Sequence, residues 1–88
     1  MSLRVTELMS DAIPTEDVGV LVIDHDDYPG YLVSVVTTLD SADPGVLYVW
    51  TNQPNFSSSG TLTGWNVGVF NTDSVNTHTF KVFIISEV

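Results

Sequence analysis

The densest polar chemistry in the chain is the run Asp24-His25-Asp26-Asp27-Tyr28-Pro29-Gly30. Grouped carboxylates are hard oxygen donors, and Ca²⁺ is the cation they suit. The run does not keep the order of an EF-hand loop, since its glycine is displaced and the closing Glu is missing. Asp24, Asp26 and Asp27 are therefore candidate ligands, with a solvated acidic loop tip as the plainer account. His25 sits among these charges, and a place on the surface is expected of it over work as a base. His78 is expected at the edge of the core beside Val69. No Ser lies in a nucleophile elbow, no glycine-rich loop could cradle a phosphate, and there is no Cys. With two His and two basic residues, the means for catalysis are thin, so no enzyme is expected. Trp50, Tyr48, Phe56 and Trp65 could offer an aromatic platform to a sugar ring. Trp65 is expected in the core. Trp50 and Phe56 flank the longest loop and are the candidate ligand contacts, although the core is the plainer place for Trp50. Asn55-Phe56-Ser57 matches a glycosylation sequon, which means little without a secretory signal.

The elements that must position these groups read as strands. Leu3–Met9 alternates Leu3, Val5, Glu7 and Met9 against Arg4, Thr6 and Leu8. Val18–Asp24 sets Val18, Val20 and Val22 against Leu21 and Ile23, and with both sides apolar it is expected to be central or sandwiched. Tyr31–Leu39 points Tyr31, Val33, Val35 and Leu39 inward. Val46–Asn52 sets Val46, Tyr48 and Trp50 against Leu47 and Val49. Tyr28-Pro29-Gly30-Tyr31 and Asp43-Pro44-Gly45-Val46 each read as a type II turn. Residues 53–60 read as the longest loop, holding Pro54 and the Ser57-Ser58-Ser59-Gly60 run. Short, regularly spaced strands with no helical period predict an all-β domain. A small antiparallel β-sandwich or barrel of about six strands is expected, with residues 1–88 as one domain. In an up-and-down order one end gathers Asp11, Glu16, Asp17, Asp40, Asp43 and Asp73, and the other Asp24, His25, Asp26, Asp27 and Phe56.

An 88-residue chain buries only about 60–65% of its unfolded surface, so its own core is limited. Without Cys no disulfide reinforces it, which leaves oligomerisation or a bound ion. Eleven acids against Arg4 and Lys81 give a formal charge of −9. Such a surface repels nucleic-acid phosphates and anionic membranes, so neither is an expected partner. No apolar run approaches membrane-spanning length. The first residues lack the apolar core of a signal peptide, so the chain is expected to stay in the cell that makes it unless lysis or a dedicated route releases it; Met1-Ser2-Leu3 also matches a common cloning remnant.

Thr61–Phe70 and His78–Val88 then read as a closing hairpin. Trp65, Val67 and Val69 form its core face. The register that opposes Val69 to His78, Val67 to Phe80 and Trp65 to Val82 also pairs Asn66 with Lys81 and lays Phe83 over Gly64. It leaves Leu62, Phe70, Phe83 and Ile85 together on a second face. Each such side chain left in water forgoes roughly 1.5–3 kcal/mol of burial, so another layer or another molecule should cover them. These four are the candidate interface. The stretch Gly64–Phe70 with His78–Ile85 resembles the closing hairpin of small β-sandwich modules in bacteriophage virion proteins and some bacterial surface proteins. The resemblance covers about a third of the chain and carries over no binding residues. It implies capsid decoration, cement or fibre work. The expected function is thus a virion component, decoration or minor coat, acting by self-association or on a capsid shell protein after synthesis in a host cytoplasm. The alternative is a carbohydrate- or receptor-binding sandwich, with Ca²⁺ as a possible aid.

Overall fold

The computed structural model describes residues 2–28, 31–40 and 46–87; within 31–40 only the side chains of 34 and 36–38 are described. Six strands follow one another: β1 (Leu3–Met9), β2 (Asp17–Asp24), β3 (Tyr31–Asp40), β4 (Leu47–Phe56), β5 (Leu62–Asn71) and β6 (Thr79–Glu87). A single 3-10 turn, His25–Asp27, lies between β2 and β3. The strands form two antiparallel three-stranded sheets, ordered β1-β6-β3 and β2-β5-β4. The all-β expectation is met as an open sandwich; the sheets do not close into a barrel. Both candidate type II turns fall largely outside the described residues, as do the inward-facing side chains expected on β3.

The expected C-terminal hairpin does not form. β5 is the central strand of one sheet and β6 of the other, and they are not hydrogen-bonded neighbours. The register of Val69 with His78 and Val67 with Phe80 is therefore replaced by pairing of β5 with β2 and β4, and of β6 with β1 and β3. The alternation that would have placed these residues side by side instead places them face to face across the sandwich. Val67 and Val69 meet Phe80, Val82 and Ile84 in one core, all at most 1% exposed, with Ile13, Ile23 and Leu47. Trp65 packs against it half-buried, as does Leu8 from β1.

The loop from β5 to β6 is an arch between layers, and its side chains show why. Asn71 is fully buried at the end of β5. Its Nδ2 donates to the carbonyls of Ile13, Pro14 and Asn76, and its Oδ1 accepts from the Asp73 amide at 2.9 Å. Asp73 Oδ1 in turn accepts from the amides of Val75 and Asn76. Short polar side chains thus bond the backbone two or three residues on and curl it away from a tight hairpin. Ile13 pairs with His78 in the loop opposite, closing that end.

β2 is an edge strand with its outer side open, not the central or sandwiched strand expected. Its Val18, Val20 and Val22 face outward while Ile23 is buried. β4 runs on through Pro54 to Phe56, where a loop was expected. An edge strand has no ladder bond to lose on its open side, which is why Pro is tolerated there.

Candidate functional site

Register fixes what each sheet shows to the outside, because directly opposed residues share a face. On β2-β5-β4 the outer rows read Val18–Phe70–Tyr48, Val20–Gly68–Thr51 and Val22–Asn66–Gln53, ending in Asp24–Gly64–Asn55. Between Val49 and Thr51 the register of β4 shifts, so Trp50 is an extra residue there. Its ring crosses Gly68: a Cβ built on that glycine would lie 3.0 Å from both Trp50 Cε3 and Thr51 Cγ2. Trp50 covers bare backbone, yet 70% of the residue is exposed. It belongs to the surface, not to the core. The ring-over-glycine contact expected of Phe83 and Gly64 is made instead by Trp50 and Gly68. Gly64 lies against the Ile23 carbonyl.

On β1-β6-β3 the outer rows read Met9–Lys81–Thr38, Glu7–Phe83–Val36 and Val5–Ile85–Ser34, then Leu3–Glu87. Leu3 and Val5 are each 61% exposed, and Met9 and Val36 are also open to solvent. Lys81 Nζ lies 3.3 Å from Glu7 Oε1, an ion pair set among Met9, Phe83 and Val36.

The four candidate interface residues are thus separated, two on one outer face, one on the other and one against the core. Phe83 and Ile85 stand half-buried on the outside of β6, flanked by same-sheet neighbours and covered by no further layer among the described residues. Phe70 is half-buried between Val18 and Tyr48. Leu62 packs against the core. Val18, Val20, Val22, Leu3, Val5 and Met9 are each more exposed than any of the four and were not among the candidates. The signal was present: an apolar set on both sides of a strand.

The two polar ends form as the strand directions require. At one, His78 Nε2 lies 2.8 Å from Asp73 Oδ2, with both side chains largely covered. That bond to His78, then the amides of Val75 and Asn76, holds the Asp73 carboxyl well below the usual carboxylate range. His78 sits at the core edge as expected, and its partner is this carboxylate.

At the other end Asp24, His25, Asp26, Thr61, Leu62 and Thr63 line an open cleft of about 420 Å³. Asp24 caps the 3-10 turn, its Oδ1 accepting from the Asp26 amide at 3.0 Å. Asp26 is 95% exposed, and His25 Nδ1 lies 3.9 Å from it. Among the described residues no three His, Asp or Glu side chains are grouped to hold a cation, so Asp24, Asp26 and Asp27 do not form a joint donor set. Burial, aided by the Asp27 charge, pushes the nearby Tyr28 phenol up. Phe56 is exposed where β4 ends. Trp65 Nε1 donates to Asn52 Oδ1, which ties that indole to the sandwich and away from any ligand platform.

No protein-family model, no curated protein and no solved structure matches this chain.

Proposed function

We propose that this chain is a non-enzymatic structural protein that works by packing its sheets against copies of itself or a shell protein. The supporting observation is that both sheets keep an apolar outer face, one around Leu3, Val5, Met9 and Phe83, the other around Val18, Val20, Val22, Tyr48 and Trp50. Contiguous apolar surface of this kind marks association sites in soluble proteins. A small domain without disulfides gains from assembly the burial its own core does not supply. The setting we propose is a virion, as head decoration or minor coat. The sequence likeness of Gly64–Phe70 and His78–Ile85 to phage sandwich modules motivates it, although these strands lie in opposite sheets here and not in a hairpin, and an acidic surface unsuited to touching a genome is in keeping with it.

Sedimentation velocity across a concentration series tests the core of this reading. An oligomer is expected at micromolar concentration; a compact monomer throughout would remove it. The virion setting has its own test. The flanking genes in the source genome are expected to encode capsid or tail proteins, and metabolic neighbours would leave assembly without a virion.

A second reading is favoured by one residue. Trp50 lies across the sheet, open to solvent, with Tyr48 near it and the amides of Gln53, Asn55 and Asn66 on the same face. An exposed indole beside amide groups is the means by which a β-sheet stacks on a sugar ring. Quenching or shift of tryptophan fluorescence by members of a glycan panel, lost in Trp50→Ala, would favour it over assembly. Phe56, at the far end of β4, would be a peripheral contact.

A further inference from the structure

Two three-stranded sheets leave four edge strands: β1 and β3 in one, β2 and β4 in the other. An open edge presents unpaired amides and carbonyls to any passing strand, and proteins blunt such edges with bulges, prolines or charges. β4 shifts register twice, at Val49/Thr51 and Asn55/Phe56, and contains Pro54. β3 shifts between Leu32 and Ser34. β1 carries exposed Arg4 and Glu7. β2 has no bulge and no proline, and its charges stand only at its ends, Asp17, whose carboxylate accepts from the Val18 amide, and Asp24. It holds one unbroken register with β5 from Asp17–Asn71 to Asp24–Gly64.

We infer that β2 is a strand-addition edge, and that its partner is β2 of a second copy running antiparallel, which joins two sheets into one of six strands. The inference rests on the self-association proposed above and says how it occurs. The exposed row argues for this occupant: Val18, Val20 and Val22 stand open to solvent and bury one another when two copies align, against the repulsion of the Asp17 and Asp24 carboxylates that antiparallel pairing brings near each other. The strand also reads alike in both directions, an acid at each end and apolar residues between. A two-fold axis can oppose only residues of the same face. Val18, Val20 and Val22 of the two copies then meet outside, and Gly19, Leu21 and Ile23 on the core side. Either Val20 or Leu21 lies opposite its own copy at the axis.

The chain has no cysteine, so single cysteines report the geometry directly. Val18→Cys, Val20→Cys, Leu21→Cys and Val22→Cys sample the edge. Val5→Cys and Tyr48→Cys sample the two outer faces away from it. Each full-length variant is first checked for a wild-type melting profile, then sedimented, oxidised with copper-phenanthroline and run without reductant. Opposed residues on paired antiparallel strands have Cα atoms about 4.5–5.5 Å apart, within disulfide reach. Stacked sheets lie about 10 Å apart. The expected result is a dimer in which at least half the chains crosslink at Val20 or at Leu21, with severalfold less at every other position. A dimer that crosslinks best at Val5 or Tyr48, or nowhere, overturns the edge and leaves self-association standing. A monomer at every concentration overturns both.

Discussion

Asn71 has no water to fall back on. It is fully buried, and its amide serves three carbonyls from two different loops while its oxygen takes the Asp73 amide. Asn71→Ala strips those partners at once: Ile13 keeps the His78 amide, while Pro14, Asn76 and the Asp73 amide each lose a bond. The expected loss is about 3 kcal/mol in a urea melt, with little change in slope. Asp73 acts on the same arch through charge. Its carboxyl is held low by His78 and two amides, so its stabilisation is complete above an unfolded value near about pH 4 and fades as pH falls further into acid. Melts of wild type and Asp73→Asn should therefore differ most at neutral pH and converge at strongly acid pH. Gly64 is constrained by geometry, because a Cβ there would strike the Ile23 carbonyl, a backbone atom that cannot turn aside. Gly64→Ala is expected to cost about 2 kcal/mol, whereas Gly68→Ala meets the ends of Trp50 and Thr51 side chains, which can move.

At the scale of elements, alternation tells which way a side chain points but not which strand lies beside it. That is why the strands could be located from sequence, with β1 placed at Leu3–Met9 as observed and the core face of β5 assigned to Trp65, Val67 and Val69. It is also why the hairpin was misjudged. Val69 and Phe80 are as compatible with facing each other across two layers as with lying side by side in one, and only the hydrogen bonding of Asn71 and Asp73 decides it. The position of β2 was missed for a related reason: two apolar sides describe both a strand between layers and an edge strand that leaves its valines open. Trp50 was expected in the core because large aromatics are usually buried, although alternation had already set it on the side of Tyr48, the side that is exposed. β6 should be the least tolerant element. Phe80, Val82 and Ile84 on its inner side are fully covered, and Phe80→Ala is expected to cost about 3–5 kcal/mol. That is comparable with the whole stability of a domain this size, so circular dichroism of the variant should show a largely unfolded chain at 25 °C.

For the whole molecule the balance lies between apolar faces that draw copies together and a charge of −9 that holds them apart. Salt screens the second and not the first. Association should therefore strengthen with sodium chloride, and the melting temperature should rise with protein concentration at fixed salt. A melting temperature independent of concentration would mean the outer faces serve something other than copies of the chain. The acidic loop ends were legible as ends, since strand direction alone gathers them. Their lack of a joint donor set was not, because side-chain convergence depends on the turn that Asp24 caps.

The order of the strands along the chain also constrains how the sandwich is made. β1 and β3 bond only to β6 within their sheet, and β6 comes after all the others. During synthesis those two strands must wait, unpaired, until the ribosome has released the last one. A chain cut or stalled before Thr79 loses a whole layer, not a fringe, and exposes Val67 and Val69 to whatever chaperone or protease arrives first.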